Sequence, residues 1–166
     1  MKKVVAILIF AVCVSSAFGQ KTKVVPKDLK ILEGPKWVGS LTYIDYSSGR
    51  STSIKCNLTI TRDNKKPRIW IFDYEYPDEP KANKKSELIL SPDGRTFDGE
   101  TVDQFDDKLV IGGSRLITTK NGTDNDKPAT FRYTYEFGNK SFWLKKEVLI
   151  DGGKEWFERN RYTWHR

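Results

Sequence analysis

Residues 131–137 read Phe131-Arg132-Tyr133-Thr134-Tyr135-Glu136-Phe137, a ring at every second position with polar residues between. Alternation of this kind marks a β-strand with one buried face, because successive side chains of a strand point to opposite sides. Four rings on one side of one strand either fill a core or line a cavity.

Outward from this strand the chain keeps the same habit. The pattern predicts strands at about 37–46, 52–61, 68–76, 86–91, 95–105, 109–119, 129–137, 141–151 and 155–164. Turn chemistry separates them: Ser47-Ser48-Gly49, Asp63-Asn64, Pro77-Asp78-Glu79-Pro80, Pro92-Asp93-Gly94, Gly138-Asn139 and Gly152-Gly153. No useful window after residue 36 shows the helical period. Before it, Pro26, the run Asp28 to Leu32 and Gly34 predict about one helical turn. Many short, regularly spaced strands mean an antiparallel sandwich or barrel.

Tight turns let the faces be tested. A two-residue loop at Gly138-Asn139 would place Tyr135 opposite Phe142, Tyr133 opposite Leu144 and Phe131 opposite Lys146. At Gly152-Gly153 a two-residue loop would oppose Glu147 and Glu158, which is unfavourable. A three-residue loop instead pairs Glu147 with Arg159, Leu144 with Tyr162, Phe142 with Trp164 and Ile150 with Trp156. A turn at Ser47 to Arg50 puts Tyr43 opposite Ile54, Leu41 opposite Cys56 and Trp37 opposite Ile60. Each readable strand then has one ring-rich side and one polar side. This predicts an all-β fold: a single antiparallel up-and-down β-barrel of about eight or nine strands, preceded by a short helical turn.

On that register the interior of the last three strands carries Phe131, Tyr133, Tyr135, Phe142, Trp156, Tyr162 and Trp164. Lys146, Glu158 and Asn160 interrupt them. A buried charge without a partner costs several kcal/mol, so the three must satisfy each other, a water or a ligand. Two readings stand: a self-satisfied polar cluster at the barrel mouth, or an apolar pocket with convergent polar groups, the usual composition of a small-molecule site. The candidate ligand-binding residues are Phe131, Tyr133, Tyr135, Lys146, Trp156, Glu158, Asn160, Tyr162 and Tyr43.

Composition narrows the classes. The chain has 166 residues, one domain's worth. Met1-Lys2-Lys3, the apolar run Val4 to Val14 and Ala17-Phe18-Gly19 predict a secretory signal peptide over 1–19, too short for a membrane span. Residues 20–36 are then a lead-in and 37–166 the barrel domain. Removing 19 of the 166 residues leaves 147 and takes Lys2 and Lys3 away, so the formal charge of +7 falls to +5. One cysteine, Cys56, remains, which excludes an internal disulfide and reads as a buried structural thiol. The lysines mix with acids in loops, so nucleic acid is not the expected partner. The protein is expected to be secreted or periplasmic and not transmembrane.

Little catalytic chemistry is visible. The only histidine, His165, is penultimate, which disfavours histidine-based catalysis and most transition-metal sites. Asp73 with Glu75 lie about 7 Å apart on one side of a strand, but opposite the ring face, so they read as solvent carboxylates; Asp98 with Glu100 reads alike. Asp124-Asn125-Asp126 reads as a polar turn. No catalytic residue, metal or cofactor is expected.

Gly34-Pro35-Lys36-Trp37-Val38-Gly39 and the closing strand Trp156-Phe157-Glu158-Arg159-Asn160-Arg161-Tyr162 resemble the calycin group: lipocalins, fatty-acid-binding proteins and avidins. The spacing is G-x-x-W rather than the lipocalin G-x-W, and paired cysteines are missing. The resemblance implies a barrel that holds small, often hydrophobic molecules. It also implies an arginine from the last strand, Arg159 or Arg161, packed on Trp37 to close the barrel. The leading expectation is a binding protein holding a small, partly hydrophobic molecule with a polar or anionic end. The alternatives are a non-catalytic structural or protein- or carbohydrate-interaction module with a filled aromatic core, and a barrel enzyme using Lys146, Glu158 or a tyrosine.

Overall fold

The computed structural model describes residues 21–44, 49–109 and 112–166. The expected signal segment 1–19, the turn residues Ser47 and Ser48, and Ile111 lie outside the described residues. The predicted helical turn is a 3-10 helix over Pro26–Leu32. The strands are β1 (Val38–Ile44), β2 (Ser51–Lys55), β3 (Asn57–Arg62), β4 (Ile69–Glu75), β5 (Lys84–Ile89), β6 (Thr96–Phe97), β7 (Glu100–Asp106), β8 (Ser114–Asp124), β9 (Lys127–Phe137), β10 (Ser141–Ile150) and β11 (Phe157–His165).

All pairings are antiparallel. One sheet runs β2-β1-β11-β10-β9-β8-β7-β6 and the other β3-β4-β5, so every neighbour is consecutive in sequence except β1 with β11. This is an all-β, up-and-down meander with its first and last strands joined. Two isolated backbone bridges, Trp37 with Leu58 and Leu90 with Phe97, link the sheets. The body is therefore barrel-like without a continuous ring of hydrogen bonds.

Among the described residues eleven strands replace the nine expected because two of them break. The 52–61 strand changes sheets at Cys56. There the Cys56 N–H donates to Gly39 O at 2.9 Å, while the Cys56 carbonyl accepts from Trp164 Nε1 at 2.8 Å. The indole takes a carbonyl that a strand would have used. Gly39 has to be glycine: a Cβ there would fall 1.9 Å from Thr163 O. The 95–105 strand breaks at Asp98 and Gly99, both with positive φ, which turn β6 into β7.

The hairpin registers slip by two residues from expectation, which preserves the faces. Leu41 pairs with Ile54 and Tyr43 with Thr52; Phe137 pairs with Phe142, Tyr135 with Leu144 and Tyr133 with Lys146. Between β10 and β11 the expected pairs Phe142–Trp164, Leu144–Tyr162 and Lys146–Asn160 form, and then a bulge at Arg159 shifts the register by one. Beyond it Glu147 meets Glu158 and Val148 meets Phe157.

That bulge corrects three expectations. Glu158 and Trp156 lie on the outer face and Phe157 turns inward. The opposed carboxylates are tolerated because each has its own cations: Glu147 pairs with Arg132 and Lys145, both at 2.9 Å, and Glu158 with Arg161 at 2.6 Å. Arg132 also lies 4.2 Å from the Trp156 ring. The closing arginine on Trp37 is neither Arg159, which pairs with Asp124, nor Arg161, which stands outside over Trp143. It is Arg166, 4.0 Å from the Trp37 ring, donating to Glu33 O at 3.0 Å and Ile31 O at 2.8 Å.

The main core contains Trp37, Trp70, Trp164, Phe72, Phe97 and Phe142, all essentially inaccessible. Phe142 stacks on Trp164 at 4.9 Å and Trp164 on Tyr162 at 5.0 Å. The 3-10 helix seals this end with Leu29 and Leu32, and Trp37 Nε1 donates to Leu32 O at 2.9 Å. The rings of β4 and β9 point inward, which removes the carbohydrate-binding sandwich that would have needed them exposed.

Candidate functional site

Inward-facing residues of β8 to β11 and β1 form rows across the sheet. The row at the sealed end is Phe137, Phe142, Trp164 and Gly39. The next is Leu116, Tyr135, Leu144, Tyr162 and Leu41; the third is Thr118, Tyr133, Lys146, Asn160 and Tyr43. Rings fill the first row. A cavity of about 230 Å³ begins at the second and opens at the third.

Five of the predicted residues, Tyr133, Tyr135, Lys146, Asn160 and Tyr162, line this cavity. Phe131 lies just beyond, its ring centroid 4.2 Å from Lys146 Nζ. It joins Ala129 and Val148 in a second, smaller apolar cluster against which Phe157 packs. Tyr43 ends the third row beside Asn160 but is not in the lining. Glu158 and Trp156 are on the outside, so the expected Lys146–Glu158–Asn160 cluster loses its carboxylate.

The buried carboxylate in the cavity wall is Glu100, from the strand face expected to meet solvent; Asp98 stands exposed at the rim. Glu100 is 2% exposed. Thr118 Oγ1 donates to its Oε2 at 2.5 Å and Lys120 Nζ lies 3.3 Å from its Oε1. Burial pushes its pKa above the ordinary value, against the pull of Thr118 and Lys120. The turn at Asp98-Gly99 was the signal for it: a hairpin there reverses which residues of 95–105 face inward. Lys84 and Tyr74 complete the opposite wall, the ammonium 4.9 Å from the ring.

Burial holds the tyrosine hydroxyls protonated. It drives Tyr135 and Tyr74 well up and Tyr133 up to about 12, so all three remain donors at neutral pH. Tyr162 shares a 3.2 Å contact with the Tyr76 hydroxyl. Lys146 moves the other way: burial lowers it, Lys120 adds repulsion, and Glu100 partly offsets both. Lys146 and Lys120 flank one ring, 5.9 and 5.3 Å from the Tyr133 centroid.

Away from the cavity, Asp73 and Glu75 pair with Lys85 and Lys36 at the surface, as solvent carboxylates should. Cys56 is fully buried, its thiol pushed up to about 11 by desolvation, which makes it inert. Among the described residues no group of metal-ligating side chains comes together, and no helix is long and apolar enough to cross a membrane.

No protein-family model matches this chain, and no curated protein matches it. One solved structure, a protein of unknown function from the DUF3598 family of Nostoc punctiforme, is similar at 14% identity and a TM-score of 0.46. The similarity covers 89% of this chain and 51% of that one, so the chain spans about half that protein's length. At that distance the likeness carries no argument about activity.

Proposed function

We propose that this is an exported binding protein of calycin type, holding one small, partly apolar molecule at the open end of its barrel-like domain. One observation carries this. The aromatic filling stops after one row, and the next two rows surround about 230 Å³ with tyrosines, Leu144 and a few polar groups. The space opens to solvent at the third row, and a concave, ring-walled mouth with a few convergent polar groups is the usual form of a small-molecule site. The volume lies below the ~300–1,000 Å³ usual for drug-sized ligands, which favours a small molecule.

Two further features support the family. Arg166 caps Trp37 and ties the last strand to the 3-10 lead-in, the arrangement that the resemblance implied with a different arginine. The lead-in seals one end, as a lipocalin-like barrel needs. In this reading residues 1–19 are a cleaved signal, 20–36 the lead-in and 37–166 the binding domain of a secreted or periplasmic protein.

Native mass spectrometry of protein purified from its own host tests the proposal. A co-purifying mass of a few hundred daltons or less is expected, lost in Leu144→Trp, which plugs the cavity. A spectrum of bare protein, together with a small-molecule screen that never shifts the melting temperature, overturns it.

A further inference from the structure

The cavity reading above is the premise here, and the chemistry of the occupant follows from the charges around it. The lining carries three lysines, Lys84, Lys120 and Lys146, against two carboxylates, Asp98 and Glu100. The buried carboxylate is already served by Thr118 and Lys120. Asp98 and Lys84 sit exposed at the rim, where water screens them.

Lys146 differs from the other two ammoniums. It is half-buried, and its ammonium lies 4.2 and 5.9 Å from the ring centroids of Phe131 and Tyr133. Among the described residues no carboxylate forms a salt bridge with it; Glu100 attracts it only at longer range, against the repulsion of Lys120. A ring face offsets part of the cost, about 0.5–2 kcal/mol, but supplies no counter-charge. On either side in the same row stand Tyr133 and Asn160, directly paired with Lys146 across the strands. Ammonium, phenol and amide all offer protons. One row toward the core, Leu144 stands between Tyr135 and Tyr162, an apolar side chain between two rings.

We propose that the occupant is a small aromatic monocarboxylate, its ring against Leu144, Tyr135 and Tyr162 and its carboxylate on Lys146, Asn160 and Tyr133. A single negative charge balances the one-lysine excess of the lining. A dianion would be repelled by Glu100 and Asp98, and a cation would meet three ammoniums.

Isothermal titration of the full chain at pH 7 and low ionic strength, with phenylacetate, 2-phenylacetamide and inorganic phosphate as probes, decides the matter. Phenylacetate is expected to bind at least about tenfold more tightly than the isosteric amide, the worth of a charge-assisted hydrogen bond, with phosphate weaker than either. Lys146→Gln should bring phenylacetate down to the level of the amide. Asn160→Asp should do the same by placing a carboxylate beside Lys146, and it keeps the test open should the lysine variant fold poorly. Equal binding of phenylacetate and the amide by the unaltered chain overturns the carboxylate inference while leaving the cavity reading intact. Phosphate binding more tightly than phenylacetate overturns the aromatic part. Absence of heat from both phenyl compounds counts against the cavity reading itself, and this inference falls with it.

Discussion

The two ends of the interior are built from the same strands, yet one is solid and the other hollow. At the sealed end Phe142, Trp164 and Tyr162 stack at 4.9 and 5.0 Å, and the indoles of Trp37 and Trp164 each donate to a backbone carbonyl. Two rows away the same alternation presents Tyr133, Lys146 and Asn160 to open space. Alternation decides which face a residue occupies; it does not decide whether that face is filled. Filling depends on side-chain volume row by row, and here the volume runs out at Leu144. The sealed end should therefore carry the stability, and the open end should be free to serve a ligand.

The sharpest way to break that contrast is Trp164→Ala. The residue is 1% exposed, stacks on two rings and holds the Cys56 carbonyl at the strand break. Its removal should cost about 3–5 kcal/mol, read as a lower urea midpoint by circular dichroism. Tyr133→Ala, at the open end, should cost less than half as much, because the ring already borders a void. Equal costs would mean that the two ends are not mechanically distinct.

Arg166→Ala should come next. Its guanidinium satisfies two carbonyls of the lead-in and covers Trp37, so its loss should cost about 1.5–3 kcal/mol. Arg161→Ala, which loses a pair with a partly exposed carboxylate and a distant approach to the Trp143 ring, should stay within about 1 kcal/mol. If the two variants melt together, Arg166 is not the closure.

Where the sequence could be read, and where it could not, follows the same division. The face of each ring in 131–137 was legible because parity survives a register error of two residues: Tyr133 lies opposite Lys146 rather than Leu144, yet still faces inward. A one-residue bulge is not survivable in that way. Nothing around Arg159 announces it, and it moved Glu158 and Trp156 to the outside. The Glu147–Glu158 opposition reads as unfavourable from sequence because alternation does not place Arg132, Lys145 and Arg161 beside it. Glu100 was hidden for a third reason: its burial depends on the turn at Asp98-Gly99, a short local signal inside an otherwise strand-like run. Arg166 lies outside the closing-strand motif that pointed to Arg159 or Arg161, and its reach to Trp37 depends on how the lead-in packs, which strand alternation does not record.

At the open end, Glu100→Gln should have a smaller effect that changes with pH. The folded-state value of Glu100 is raised above its ordinary 4.5. Below 4.5 the carboxyl is protonated in both states and burial costs little. As pH rises from there through the folded value, the unfolded chain ionises first, so the native chain loses stability relative to it. Glutamine keeps an acceptor for Thr118 without that penalty. Glu100→Gln should therefore match or exceed the parent at pH 7, with the difference vanishing near pH 4. Paired urea titrations at the two pH values check it. A variant that is less stable at pH 7 by more than at pH 4 would show that the Lys120 pair, not burial, governs Glu100.

Lys146→Met should have the smallest effect and is the most telling about purpose. At neutral pH the half-buried ammonium is present in both states, and the native state bears its desolvation, moderated by solvent at the mouth. Methionine has similar reach and no charge, so the variant should be as stable as the parent or up to about 1 kcal/mol more so. The lysine's folded value lies below 10.5. As pH climbs through that folded value toward 10.5, the native chain sheds the proton before the unfolded one does. The parent then gains stability and the advantage of methionine narrows. Thermal melts at pH 7 and near pH 10 measure both halves. A clear loss of stability in Lys146→Met at pH 7 would make the ammonium part of the scaffold. Unchanged or improved stability would leave it as a charge that folding does not require, kept at the mouth where a carboxylate can reach it.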